Sequence, residues 1–161
     1  MQPLASVVVL SYNGRAYLED CLSSLHDQSL PRDVYEIIVV DNGSTDGSAE
    51  YVRQAWPSVR VIRLAENLGY AQGNNVGFIH AQAKYVVFLN QDTVVHVHWL
   101  RELVSAMESN SSIGACESSV VLPWHEEFAA LDRHSPPKVA RVAELCRFGY
   151  VTYHQRPLCS E

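Results

Sequence analysis

The chain has 161 residues, 47% of them hydrophobic and 19% charged, with a formal net charge of −6. That length favours a single domain, and a chain of this size buries roughly 70% of its unfolded surface. It carries no Lys/Arg cluster, which argues against a nucleic-acid-binding surface, since such surfaces need many cationic phosphate contacts.

Ser6 to Leu10 is a short apolar run, read as the first strand, and it breaks at the turn-rich Ser11-Tyr12-Asn13-Gly14. Leu18, Cys21, Leu22 and Leu25 recur at i, i+3, i+4, i+7, so a helix follows. Tyr35 to Val40 is the second strand. Asp46 then caps a helix whose inner face is Ala49, Val52 and Trp56, and Pro57 stops it. Val59 to Leu64 is the third strand. A third helix after Asn67-Leu68-Gly69-Tyr70 turns Val76, Ile79 and Ala83 inward. Tyr85 to Leu89 is the fourth strand, and Leu100, Leu103, Val104 and Met107 mark a fourth helix. Beyond Ile113-Gly114 the pattern decays. Ser118 to Leu122 reads as a strand, Pro123 to Pro137 as a loop, Val139 to Leu145 as a short helix and Tyr150 to Tyr153 as a last strand. Repeated strand–helix alternation implies an α/β fold. Its sheet is mainly parallel and Rossmann-like, with right-handed crossovers and helices on both faces.

The four cysteines, Cys21, Cys116, Cys146 and Cys159, show no C-x-x-C spacing, so neither a zinc site nor a disulfide framework is expected. Cys21 on the apolar helix face reads as a buried free thiol. A reducing, cytoplasmic compartment follows. The N-terminus lacks a basic n-region, and no apolar run approaches the ~18 residues that span a bilayer.

Two apolar strands end in acids. Glu36-Ile37-Ile38-Val39-Val40 leads into Asp41-Asn42-Gly43-Ser44-Thr45-Asp46, and Val86-Val87-Phe88-Leu89 into Asn90-Gln91-Asp92-Thr93. Ligands of open α/β sheets bind beyond the carboxyl ends of the strands, so two acidic loops there suggest a site for a metal, a ribose or a base edge. Taken alone, Asp41 is as well explained by bonds to its own Gly-Ser-Thr turn, and Asp92 by a turn or helix cap. The three glycines of Asn67-x-Gly69-x-x-x-Gly73-x-Asn75-x-Gly77 each cost about 1 kcal/mol in a helix against alanine. Close packing on a strand and a ligand lying on the backbone explain them equally well. The first strand lacks the G-x-G-x-x-G of dinucleotide folds. His96-Val97-His98 could share a face, but with no third ligand the two are read as surface or partly packed histidines.

In this order the pieces resemble family-2 glycosyltransferases with a GT-A fold, from about Ser6 to Gly114. Val8 to Asn13 looks like the family's opening strand and donor loop. Glu36 to Ser48 matches its most recognisable stretch, Asn67 to Gly77 its third motif, and Phe88 to Thr93 stands where its metal-binding D-x-D belongs. The resemblance implies a residue 1–115 nucleotide-sugar-binding core and, in 116–161, the start of a truncated acceptor half. It implies that Ser11, Tyr12 and Asn13 lie near base and ribose and that Asp41 holds a pyrimidine ring. Asn67, Gly69, Gly73, Asn75, Asn90 and Gln91 would line the donor, and Asp92 would bind Mg²⁺ or Mn²⁺. Asn90 in place of the first Asp points to a UDP- or dTDP-linked sugar, rhamnose among them. The implied reaction is inverting transfer to a hydroxyl of a glycan or lipid-linked acceptor, in cell-wall or polysaccharide biosynthesis, peripheral to the inner face of a membrane. The catalytic base is expected outside this chain. The 161-residue chain is therefore expected to be inactive alone and to self-associate through its C-terminal region, near Phe148 to Tyr153.

A phosphatase of the haloacid dehalogenase type would need its D-x-D on the first strand and a nucleophilic Asp where Asn90 stands. A non-catalytic nucleotide-sugar binder or interaction domain is the other alternative.

Overall fold

The computed structural model describes residues 2–118, together with the backbone of 139–145 and 151–157. The expected loop Pro123 to Pro137 lies outside these residues, as do the side chains of the expected association region, Phe148 to Tyr153. Two compact units emerge, Met1–Val95 and His96–Glu161.

In the first unit, β1 (Ala5–Ser11), α1 (Leu18–His26), β2 (Tyr35–Asp41), α2 (Ser48–Ala55), β3 (Arg60–Arg63), α3 (Gly69–His80) and β4 (Tyr85–Asn90) alternate as expected. The strands form one sheet in the order β3-β2-β1-β4. Every pairing in it is parallel, with Ser11 opposite Asp41 and Leu10 opposite Asn90. Val7, Val8, Val9, Ile37, Ile38, Val39 and Val40 are all buried, because crossover helices cover both faces of a parallel sheet. The chain moves outward from β1 to β2 to β3, then returns past β1 to β4. With right-handed crossovers this reversal puts α3 on the face opposite α1 and α2.

The third helix turns a different side inward from the one its apolar residues suggest. Ile79 is 77% exposed and Phe78 57%, whereas Gly73, Asn74 and Gly77 are buried, and Ala83 lies beyond the helix end. A Cβ on Gly77 would overlap Val8 Cγ1, and one on Gly73 would overlap Leu10 Cδ1. The helix backbone sits directly on β1, so missing side chains, and not apolar ones, mark its inner face. Trp56 is the residue that ends α2, not part of its inner face. It is half-buried and packs on the His26 ring, 4.7 Å between centroids.

The second unit holds α4 (Trp99–Ser109), β5 (Ile113–Ser118), β6 (Val139–Leu145) and β7 (Val151–Pro157). α4 buries Trp99, Leu100, Leu103 and Val104, and the Trp99 indole donates to Ser118 Oγ at 3.0 Å. β5, β6 and β7 form an antiparallel sheet in that order. Of the strand expected at Ser118 to Leu122, only Ser118, the last residue of β5, lies among the described residues. The segment Val139 to Leu145, expected as a helix, is a strand. Its backbone is paired on both sides, and a ladder of that kind overrides the helix propensity of Ala, Arg, Glu and Leu.

Candidate donor-binding crevice

Order reversal in an open parallel sheet leaves a gap beyond the strand ends where the two directions part. Here that point lies between β1 and β4. A crevice of about 300 Å³ occupies it, lined by Leu10, Tyr12, Asn42, Asn67, Gly69, Tyr70, Asn90, Gln91 and Asp92. A larger hollow of about 420 Å³ lies beyond β2 and β3, lined by Gly43, Ser44, Thr45, Arg63, Leu64 and Ala65. The one charged side chain on its walls, Arg63, is already paired with Asp41 and Glu50. The smaller crevice carries the converging polar groups and is the candidate site.

Its walls are tied loop to loop. The Gln91 amide accepts from Tyr12 N at 2.8 Å and donates to Tyr12 O at 3.2 Å, clasping the β4 loop onto the β1 loop. Gly14 makes room for that clasp, since a Cβ there would overlap Gln91 Oε1. Asn13, at φ 48°, accepts from Thr45 N through its side chain and donates from its backbone to Ser44 Oγ, both 2.9 Å. Arg15 N donates to Asp46 Oδ2 at 2.9 Å. Burial pushes the Asp46 pKa up, but bonds from the Ser48 hydroxyl, Arg15 N and Ser48 N outweigh it and hold the carboxyl below its ordinary value.

The β3 loop is held by Asn42. Its Nδ2 donates to Asn67 Oδ1 at 2.9 Å and to Gly69 O at 3.2 Å, and its Oδ1 accepts from Leu68 N at 2.9 Å. Asn67 Oδ1 also accepts from Gly69 N at 2.8 Å. Asn42 was not among the residues expected at the site, nor were Leu10 and Tyr70. Alternation along a strand was the available signal. Val40 faces α3, so Asn42, two residues on, does too.

The expected residues thus divide. Tyr12, Asn67, Gly69, Asn90, Gln91 and Asp92 come together on the crevice. Asn13 staples two loops beside it. Gly73 packs under α3 against Leu10, and Asn75 is exposed elsewhere on α3. Ser11 and Asp41 are fully buried register partners, on the sheet face away from Leu10 and Asn42. Asp41 Oδ1 accepts from Ser44 N at 3.3 Å. Arg63 Nε lies 3.4 Å from Asp41 Oδ2, an ion pair, and that oxygen has no hydrogen-bond donor among the described residues. Ser11 Oγ has no hydrogen-bond partner among them either.

Asp92 is exposed on its loop. Among the described residues no group of three or more His, Cys, Asp or Glu could hold a metal ion, so these residues alone do not cage one. A single carboxylate on a diphosphate-sized crevice still suits Mg²⁺ or Mn²⁺, since such ions are held by one or two carboxylates plus ligand phosphates and water. Asp92, beside the Asn90 amide, is the residue that would hold it.

A β3-β2-β1-β4 parallel sheet with flanking helices and a site at its switch point is the GT-A architecture. The match to Glycosyl transferase family 2 runs over residues 6–154, and the chain belongs to that family. It is 42% identical over 94 residues to a putative teichuronic acid biosynthesis glycosyltransferase, TuaG, of Bacillus subtilis, covering 56% of this chain and 36% of that protein. Glycosyltransferase AglE of Haloferax volcanii is 32% identical over 135 residues, covering 82% of this chain and 44% of that one. The chain thus spans less than half the length of these relatives. Among solved structures, Staphylococcus aureus TarS 1-349 in complex with UDP superposes with a TM-score of 0.63 at 28% identity, over 68% of this chain and 33% of that one. The mannosyltransferase PcManGT of Pyrobaculum calidifontis, in complex with GDP-Man and Mn²⁺, gives 0.64 at 28% identity, over 81% and 38%.

Proposed function

We propose that the β1–β4 crevice binds the nucleoside diphosphate of a nucleotide-sugar. In a longer protein the bound sugar is passed to a hydroxyl of a glycan or lipid-linked acceptor, with inversion, in the making of a surface polysaccharide. The observation that carries this is the convergence of Tyr12, Asn67, Gly69, Asn90, Gln91 and Asp92, drawn from three separate loops, on one crevice of about 300 Å³. Neighbours that share the fold bind UDP and GDP-Man, and two relatives are named for cell-wall polymers.

Each wall has a task in this reading. Tyr12, 46% exposed, offers a ring face to the base. Asn67 and Gly69, locked by Asn42, fix the edge on which the nucleotide lies. Gln91, spent on the Tyr12 backbone, holds the two strand ends at a set distance. Asp92 and Asn90 take a divalent cation, which when bound neutralises the charge of the departing nucleoside diphosphate. UDP- or dTDP-linked sugars, rhamnose among them, are the donors proposed from Asn90. The base that takes the acceptor proton is assigned to a segment outside this chain. Asp41, buried beneath its own turn with one carboxylate oxygen lacking a donor among the described residues, is the residue proposed to hold the pyrimidine ring. No described helix is long and apolar enough to cross a membrane. Attachment to the inner membrane face is proposed through the acceptor.

Calorimetric titration with UDP, dTDP and GDP, each with Mn²⁺ and with EDTA, tests the reading. Saturable binding of one of them, tighter with Mn²⁺, is expected. No binding of any nucleotide at millimolar concentration would remove the donor site from this crevice.

A further inference from the structure

We propose that Ser24 and Cys21 of α1 are positioning residues that grip the loop 90–95 from below and so set the place of Asp92 in the crevice. The proposal rests on the donor-site reading above. Beside the apolar stripe of Leu18, Leu22 and Leu25, α1 presents Cys21 and Ser24, only 1% and 3% exposed, and Gln28, 8% exposed, follows just past the helix end. Cys21 and Ser24, three apart, lie on one face of the helix. A buried hydroxyl or amide is costly unless bonded, and the bonds here lead to the β4 loop. Ser24 Oγ donates to Cys21 O at 2.8 Å, the local bond that suits serine inside a helix. That fixes the hydroxyl so that it accepts from Val95 N at 3.1 Å. Gln28 Nε2 donates to Ser24 O at 2.9 Å and holds the same turn of helix. Cys21 Sγ donates to Asn90 O at 3.8 Å.

α1 therefore holds the loop at both ends, through Asn90 O and Val95 N. Between them Thr93 N donates to Asn90 O at 3.2 Å and closes a turn, and Gln91 ties the loop to Tyr12 from the other side. Asp92 is exposed within a backbone tied on two sides. The geometry of a metal ligand depends on the groups that orient it, and loss of such a group typically lowers metal affinity about 10–100-fold.

The test uses the full chain, with UDP and GDP titrated in Mn²⁺ and in EDTA, and reads the ratio of the two dissociation constants. Ser24→Ala and Cys21→Ala are expected to lower that ratio about tenfold while leaving binding in EDTA unchanged, and Cys21→Ser, which keeps a donor, to restore it. A purely structural role would weaken binding in both media alike, and that result overturns the proposal. Ratios unchanged in both alanine variants overturn it as well. If Ser24→Ala melts before it can be titrated, the Cys21→Ala and Cys21→Ser pair decides. A wild-type chain that binds nucleotide with no metal dependence overturns the assignment of Asp92 and the proposal with it. A metal-dependent wild type with unaffected variants overturns the proposal alone.

Discussion

The turns after β2 and β4 both follow an apolar parallel strand, and both carry an acid, yet the two acids live in opposite surroundings. Asp41 is the last residue of β2, its side chain 1% exposed, and it meets Ser44 N and Arg63. Asp92 comes two residues after β4 ends and is exposed in the crevice. The difference follows from strand alternation. Asp41 leaves the sheet on the face away from α3, where its own turn closes over it, whereas the crevice opens on the α3 face, where Leu10 and Asn42 point. An acid at a strand end is therefore buried under its own turn or exposed to the crevice according to the parity of its position.

Removing the partner of the buried acid should have the largest effect. Arg63→Ala leaves a fully buried carboxylate with Ser44 N as its one hydrogen-bond donor among the described contacts. Loss of one partner of a buried pair typically costs about 3–5 kcal/mol, and the 43% exposure of Arg63 puts this case at the lower end, about 3 kcal/mol. Urea unfolding measures it. A change below about 0.5 kcal/mol would show Asp41 to be open to water and would collapse the contrast with Asp92.

Next comes the contact that brings α3 down onto the crevice side. Gly77→Ala puts a methyl into Val8 and should destabilise by about 2 kcal/mol, the usual scale of overpacking. The same change at Gly69, where a Cβ would meet nothing within 4 Å, acts through its φ of 81° instead and should cost about 1 kcal/mol. Thermal melts of the pair rank packing against backbone conformation. Equal losses would mean that α3 does not rest on β1 closely enough for a methyl at Gly77 to meet Val8.

Asp92→Asn should move stability by less than about 0.5 kcal/mol, as exposed substitutions do, while removing most of the gain in nucleotide affinity that Mn²⁺ gives. Calorimetry with and without EDTA checks the second point and urea unfolding the first. A destabilised variant with metal dependence intact would exchange the roles assigned to the two acids.

The sheet, its strand ends and the crevice loops were legible because buried parallel strands are unbroken apolar runs and because Asn67-Leu68-Gly69 and Asn90-Gln91-Asp92 sit at their ends. The inner face of α3 was not, since hydrophobic periodicity reports side chains and this face works by lacking them. Val76 and Ile79 drew attention while Gly73 and Gly77 did the packing. Asn42 stayed hidden behind the charge of Asp41, though parity along β2 pointed to it. The strand Val139–Leu145 was illegible for a different reason. Its residues favour a helix locally, and only the ladders to β5 and β7 decide otherwise. Asp46 shows the reverse case. It was expected as a helix cap, and although Gly47 holds the cap position, the Asp46 carboxylate still accepts from Ser48 N at 3.0 Å and from the Ser48 hydroxyl.

That carboxylate gives the smallest effect, and it tests whether the β1 and β2 loops are joined by charge. Burial raises the Asp46 pKa, but the bonds from Ser48 and Arg15 N outweigh it, and the folded value lies below the ordinary one. An acid depressed in the folded state stabilises fully above its unfolded pKa, about 3.9 for Asp, and loses that contribution as pH falls through the lower folded value. Asp46→Asn should therefore be less stable than wild type from neutral pH down to about pH 4, with the gap closing below it. Asp46 is exposed, so solvent screening holds the gap to a fraction of about 1 kcal/mol. Urea midpoints measured from pH 7 to pH 2.5 would trace it. A gap that stays constant through that range would mean the Asn side chain, not the lost charge, is responsible, and Arg15 N would then hold the two loops together without electrostatic help from Asp46.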